Sequence, residues 1–404
     1  MFQRTKNLKT IFNLSTFQKL RLESKTRRFF SETKDDNPSK EPENDFVSKL
    51  LKDSTTYSEL NNTEWATTPY PQSAGEVAED LKTKKPVIDP SETSVILFPG
   101  QGIIKVGDVK EYLKFPRVKD LFDIANDILG YDLLKMCLKG PQSVLDRTEF
   151  NQPATVVRSL AALEKLQEER PRVIDSCVAV AGYSVGELTA LIFSGAMPYE
   201  EGLRLVAVRA AAMQSASEMS AQGMVSSYCT PTAKAFQICE KAQKWAVDIG
   251  ASDPVCKIAI YLYTQGKVFG GSDEALQYIQ KNSQNLGLKK VQRLPVSGAF
   301  HTTLMQPALK SFIKALRKTP FVETNVPVYS NYSTNTYTRS MKVNHKYLIK
   351  QIVSPVKWEQ IIHKIYERPQ NIPFPRTFDM GSKGTMKTIL KMINAKAEEK
   401  CYVY

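Results

Sequence analysis

Apolar and polar positions fall into regular blocks from about residue 93 onward. Ser94-Val95-Ile96-Leu97-Phe98 is a short apolar run that stops at Pro99-Gly100-Gln101-Gly102, which predicts a buried strand and a tight turn. Apolar residues at helical spacing predict helices over 118–129, 131–138, 151–168 and 199–217, then over 304–317, 355–366 and 384–393. Strand-like runs at 177–181, 326–330 and 376–380 alternate with them. This alternation predicts an α/β fold: a hydrolase-like large subdomain with a largely parallel sheet.

Residues 222–294 keep a different rhythm. A strand at 224–228 precedes a helix that starts at Pro231 behind a Thr230 cap. Strands at 257–263 and 267–270 flank Gln265-Gly266, and a second helix behind Ser272 closes at Gly287 before a last strand at 290–294. The order β-α-β-β-α-β predicts an inserted ferredoxin-like (βαββαβ) small subdomain. The expected organisation is therefore 93–221 and 295–404 for the large subdomain and 222–294 for the small one.

Composition changes the picture at the N-terminus. Residues 1–30 carry eight basic side chains and one acid, with Ile11, Phe12, Leu14, Phe17, Leu20 and Leu22 at roughly helical spacing. A basic, amphipathic, acid-poor start predicts a mitochondrial transit peptide, with a basic tail for nucleic acid or membrane as the alternative. Residues 31–92, with SETKDDNPSKEPEND near their start, read as a polar linker. Of the net charge of +13, residues 1–30 hold +7, so the rest is only mildly basic. That excludes a nucleic-acid footprint and favours an acidic protein partner. Six scattered cysteines without a C-x-x-C pair read as core thiols. No run of eighteen apolar residues exists, so no membrane span is expected.

The chemistry centres on Gly182-Tyr183-Ser184-Val185-Gly186. A serine in G-x-S-x-G, after a strand and before a helix, is the arrangement of a nucleophile elbow. Such a serine needs a base and donors for an oxyanion. The chain has three histidines. His363 lies mid-helix, His345 lies in a polar stretch, and His301 ends the glycine-containing loop Pro295-Val296-Ser297-Gly298-Ala299-Phe300-His301 beside the insert. The loop position favours His301 as base. No aspartate stands where a hydrolase triad would have one, so the histidine is expected to be oriented by a carbonyl. Arg209, in a helix of small apolar residues, is either a solvated surface arginine or a fork for a carboxylate. At this level a transferase, a serine hydrolase and a non-catalytic carrier-binding protein all remain open.

Five motifs in order narrow the choice: Phe98-Pro99-Gly100-Gln101-Gly102, Gly182-Tyr183-Ser184-Val185-Gly186-Glu187, Arg209 with Met213-Gln214, Gly298-Ala299-Phe300-His301-Thr302, and Gln351 with Ser354-Pro355-Val356 and Trp358. Over about 93–395 the chain resembles the malonyl-CoA–acyl carrier protein transacylases, and with its N-terminus the mitochondrial, animal type. The resemblance implies that Ser184 carries malonyl as an ester and that His301 is general base and acid. It implies an oxyanion hole from the backbone of Gln101 and Val185, and a Gln351 carbonyl orienting His301. Arg209 would bind the malonyl carboxylate, and Phe300 and Met213 would line the acyl pocket. The implied partners are malonyl-CoA and mitochondrial acyl carrier protein in the matrix, with no cofactor and no metal; the coenzyme A thioester is a substrate. Tyr183, Ile103-Ile104, Tyr261-Leu262-Tyr263 and Gly381-Ser382-Lys383-Gly384 depart from the family's usual letters.

Overall fold

A computed structural model describes residues 89–404. The transit-peptide reading and nearly all of the linker reading lie outside the described residues. The apolar run Ser94–Phe98 (β1) is buried along its whole length, as a strand covered on both faces must be. It pairs in parallel with Cys177–Gly182 (β2) on one side. The insert supplies four strands: Gln222–Cys229 (β3), Cys256–Tyr261 (β4), Gly266–Ser272 (β5) and Leu288–Arg293 (β6). Val328–Tyr329 (β7), Arg376–Asp379 (β8) and Cys401–Val403 (β9) complete the large sheet.

Two sheets result. The large one is parallel throughout, in the order β7-β2-β1-β8-β9. The small one is antiparallel, in the order β4-β5-β3-β6, which is the ferredoxin-like arrangement of a βαββαβ chain. The fold is thus α/β with a second, inserted sheet. The insert has its own apolar core, in which Val225 and Phe269 meet Ile238, Ala242, Leu276 and Ile279 from its two helices. The helices are Ala235–Asp248 and Asp273–Lys281. Two backbone hydrogen bonds anchor the insert's sheet to the large subdomain: Tyr261 N–H to Val356 O and Val356 N–H to Ala259 O, each 2.9 Å. They tie β4 to the segment that follows helix Met341–Val353.

Several boundaries differ from the sequence expectation. The helix expected from Pro231 begins at Ala235, because Thr230 does not cap it; its Oγ1 donates to Gly287 O instead. Ser272 is an N-cap by position only, since its Oγ accepts from Val255 N–H across the sheet. Its helix ends at Lys281, and Gly287 turns the chain at φ +68. The run at 304–317 splits into a 3-10 turn, Thr303–Ala308, and an α-helix, Leu309–Leu316, with Pro307 at the division. The strand expected at 326–330 has only two residues, and β9 was not expected at all. All six cysteines are buried and unpaired. Among the described residues no helix is long and apolar enough to cross a membrane.

Candidate active site

The carboxyl ends of β1, β2 and β7 lie side by side, and the site forms there. β2 ends at Gly182, and helix Val185–Phe193 begins three residues later. The turn has no room for side chains at its glycines. A Cβ on Gly182 would lie 1.8 Å from Gly186 O, and one on Gly186 would lie 2.5 Å from Pro99 O. Ser184 at the apex sits at φ 55, ψ −111, a conformation a serine adopts only when its surroundings impose it. Asn331, just beyond β7, imposes it. Its Oδ1 accepts from Ser184 N–H at 2.7 Å, and its Nδ2 donates to Gly182 O at 2.7 Å. Ser184 is the helix N-cap yet makes no side-chain cap bond, which leaves Oγ for chemistry.

That oxygen lies 2.8 Å from His301 Nε2. His301 Nδ1 lies 2.6 Å from Gln351 O. A carbonyl only accepts, so Nδ1 carries the proton and Nε2 offers a lone pair to the serine hydroxyl. The histidine is held at φ +61 by the next residue: Thr302 Oγ1 donates back to Ala299 O and accepts from Leu304 N–H. Burial, together with the charge of Arg209, pushes the imidazole down to about 3 against the pull of the Gln351 carbonyl. It is therefore a neutral base at physiological pH. His345 and His363 lie elsewhere: His345 is half-buried edge-on to Phe321, and His363 is exposed on its helix, 3.9 Å from Glu359.

Arg209, on helix Tyr199–Ser217, is fully buried and points its guanidinium at the serine. Nη2 lies 3.4 Å from Ser184 Oγ and donates to Gln351 Oε1 at 2.9 Å, while Nη1 donates to Gln152 Oε1 at 2.6 Å. Nε has no hydrogen-bond partner. Burial lowers the guanidinium to about 10 although Glu187 opposes the shift, so it stays charged at neutral pH. A buried cation held by neutral amides, with a donor left over, is suited to an anionic group brought in from outside.

The remaining residues take these places. Gln101 follows β1, and its Oε1 accepts from Gln152 Nε2 at 3.0 Å. Val185 is the first residue of the elbow helix, so its N–H has no partner in that helix. Met213 and Phe300 are buried, and Met213 Sδ lies 3.7 Å from Gln152 Nε2. Tyr183 does not face the chemistry; its ring stands edge-on to Trp358 at 5.4 Å and covers Gly100. Sequence reasoning missed Gln152, Asn331 and Tyr337. Gln152 lies before Pro153 inside helix Thr148–Glu169, and neither it nor Asn331 nor Tyr337 carries a spacing signal. A cavity of about 380 Å³ opens on His301, between Tyr261, Cys239 and Phe236 of the insert and Val353 to Pro355. Among the described residues no cluster of three metal-ligating side chains exists.

A strand–serine–helix elbow, a neutral histidine and a buried cation beside the serine define an acyl-transferring site. A family model described as an acyl transferase domain matches residues 118–375. The chain is 46% identical over 332 residues to the "Probable malonyl-CoA-acyl carrier protein transacylase, mitochondrial" of Drosophila melanogaster, covering 82% of this chain and 87% of that one. Among solved structures it resembles the malonyl CoA-acyl carrier protein transacylase of Coxiella burnetii, with TM-score 0.69, 29% identity and coverage of 78% and 94%. It also resembles a malonyl-transacylase solved in complex with its type II PKS acyl-carrier protein, with TM-score 0.67, 25% identity and coverage of 77% and 94%. The chain belongs to the malonyl-CoA–acyl carrier protein transacylase family.

Proposed function

We propose that this chain moves malonyl from malonyl-CoA to the phosphopantetheine thiol of the mitochondrial acyl carrier protein, in the matrix, for fatty acid synthesis. One observation carries the reading: the buried Arg209 guanidinium stands 3.4 Å from Ser184 Oγ. An acyl group on that oxygen finds a cation one short arm away, which suits an acyl group ending in a carboxylate.

The reaction runs in two halves. Ser184 Oγ attacks the thioester carbonyl while His301 Nε2 takes its proton, and the Gln351 carbonyl steadies the imidazolium. The backbone N–H groups of Gln101 and Val185 receive the negative oxygen. The tetrahedral intermediate collapses, the C–S bond breaks, and His301 returns the proton to the departing coenzyme A thiol. The carrier thiol then gives its proton to His301 and attacks the ester, and Ser184 leaves with that proton. Two thioesters exchange through one ester, so the reaction needs no resident cofactor. The cavity beside His301 suits a thiol-bearing arm, and Phe300 and Met213 close the acyl pocket.

The test is a time course with malonyl-CoA, with and without carrier. Carrier-dependent appearance of malonyl-carrier, absent in Ser184→Ala, supports the proposal. Rapid release of free malonate without carrier would instead make the protein a hydrolase.

A further inference from the structure

Glu187, three residues past the nucleophile, is wholly buried, and the two half-reactions do not use it. Its Oε1 accepts from Tyr337 Oη at 2.5 Å; its Oε2 accepts from Asn331 N–H at 3.1 Å and from Gln351 Nε2 at 2.8 Å. The other hydrogen on Gln351 Nε2 goes to Ser184 O at 2.8 Å. A carboxylate only accepts, so it admits one orientation of the Gln351 amide. In that orientation Oε1 faces Arg209 Nη2. A flipped amide would set N–H against N–H at Arg209 and oxygen against oxygen at Glu187 and Ser184. Two buried opposite charges thus meet through one neutral amide, whose backbone carbonyl also steadies His301.

We infer that Glu187 is a positioning residue for acyl selectivity: acting through the Gln351 amide, its carboxylate holds Arg209 in the orientation that receives the acyl carboxylate. The inference rests on the transacylase reading, because it takes the acyl group to end in a carboxylate. The groups facing Glu187 are Tyr337, Asn331 and Gln351, with Arg209 and His301 one step beyond. Burial raises its carboxyl to about 7, with the Tyr337, Gln351 and Asn331 donors and the Arg209 charge opposing. The carboxylate form is lost as pH falls through that value.

The experiment compares Ser184 loading from malonyl-CoA and from acetyl-CoA in the full chain and in Glu187→Gln. A glutamine at this place removes the negative charge that faces Arg209 through Gln351, whether its amide turns a donor to Gln351 Nε2 and Asn331 N–H together or to the Tyr337 hydroxyl. Malonyl loading is expected to fall about 10- to 100-fold, the range of a lost hydrogen bond to a charged group, while acetyl loading falls only a few-fold. An equal loss for both acyl groups would reduce Glu187 to a brace of the elbow and overturn the inference. If that variant does not fold, Tyr337→Phe decides. It removes a donor that favours the carboxylate, so the acid limb of malonyl loading moves to higher pH and acetyl loading keeps its profile. An unmoved malonyl limb overturns the inference. A wild-type protein that takes no malonyl at all would instead sink the transacylase reading.

Discussion

Arg158 and Arg209 are both fully buried, on two helices that pack against each other, yet they sit in opposite surroundings. Arg209 gives Nη1 and Nη2 to the amide oxygens of Gln152 and Gln351, beside a reactive hydroxyl. None of the three guanidinium nitrogens of Arg158 has a hydrogen-bond partner. Its nearest acid is Asp108, 3.8 Å away, and Asp108 is also bonded to Lys383 and to Lys105 N–H. Burial of a cation therefore does not make a site. What distinguishes the region around Arg209 is a shell of fixed neutral acceptors and a nucleophile within reach.

The largest expected effect is at Arg209. Arg209→Ala should cut malonyl loading roughly 10²- to 10³-fold, the cost of losing one partner of a buried charge pair, and spare acetyl loading by comparison. Measured loading rates with both thioesters check this, and equal losses would deny Arg209 its carboxylate role. Gln152→Ala removes the acceptor of Nη1 and should cost about tenfold in malonyl loading, since one buried hydrogen bond to a charge is lost. An unchanged rate would mean that Arg209 needs only Gln351 to hold it.

Arg158→Met should leave loading unchanged. Replacing a poorly paired buried charge with an apolar side chain is expected to be neutral or to stabilise by about 1–4 kcal/mol, read by denaturant unfolding. A loss of loading in that variant would erase the contrast between the two arginines. The smallest effect is on pH. His301 is held down to about 3, below its ordinary 6.5, so its neutral form persists as pH falls. Acetyl loading, which does not call on the Glu187–Arg209 arrangement, should stay flat from about pH 8 to about pH 5. A midpoint near 6.5 in that profile would contradict a buried neutral base.

Much of this site was legible in the sequence. Ser184 and His301 stand in local motifs whose glycines and loop position mark them, whereas Arg209 was open between a surface and a site role and Gln351 came only with the family resemblance. Their amide and carboxylate supports were not legible, for a physical reason. Gln152 and Asn331 come from separate segments, and they matter only because the sheet order brings the ends of β7, β2 and β1 together beside helix Thr148–Glu169. Glu187 suits a helix N-terminus on sequence grounds, which hides its bond to Gln351. In the fold, long periodic helices and buried strands were readable, whereas β7 and β9 were too short to show a period. The Thr230-Pro231 helix start misled because Thr230 Oγ1 bonds to a distant carbonyl rather than to the helix it precedes.

The central claim is that Ser184 carries an acyl group whose carboxylate Arg209 holds. Peptide mass spectrometry after mixing the protein with equal malonyl-CoA and acetyl-CoA tests it directly. The account predicts a malonyl increment on the peptide containing Ser184, in large excess over acetyl, with neither adduct on that peptide in Ser184→Ala. An adduct on another residue, or equal malonyl and acetyl on Ser184, would contradict it.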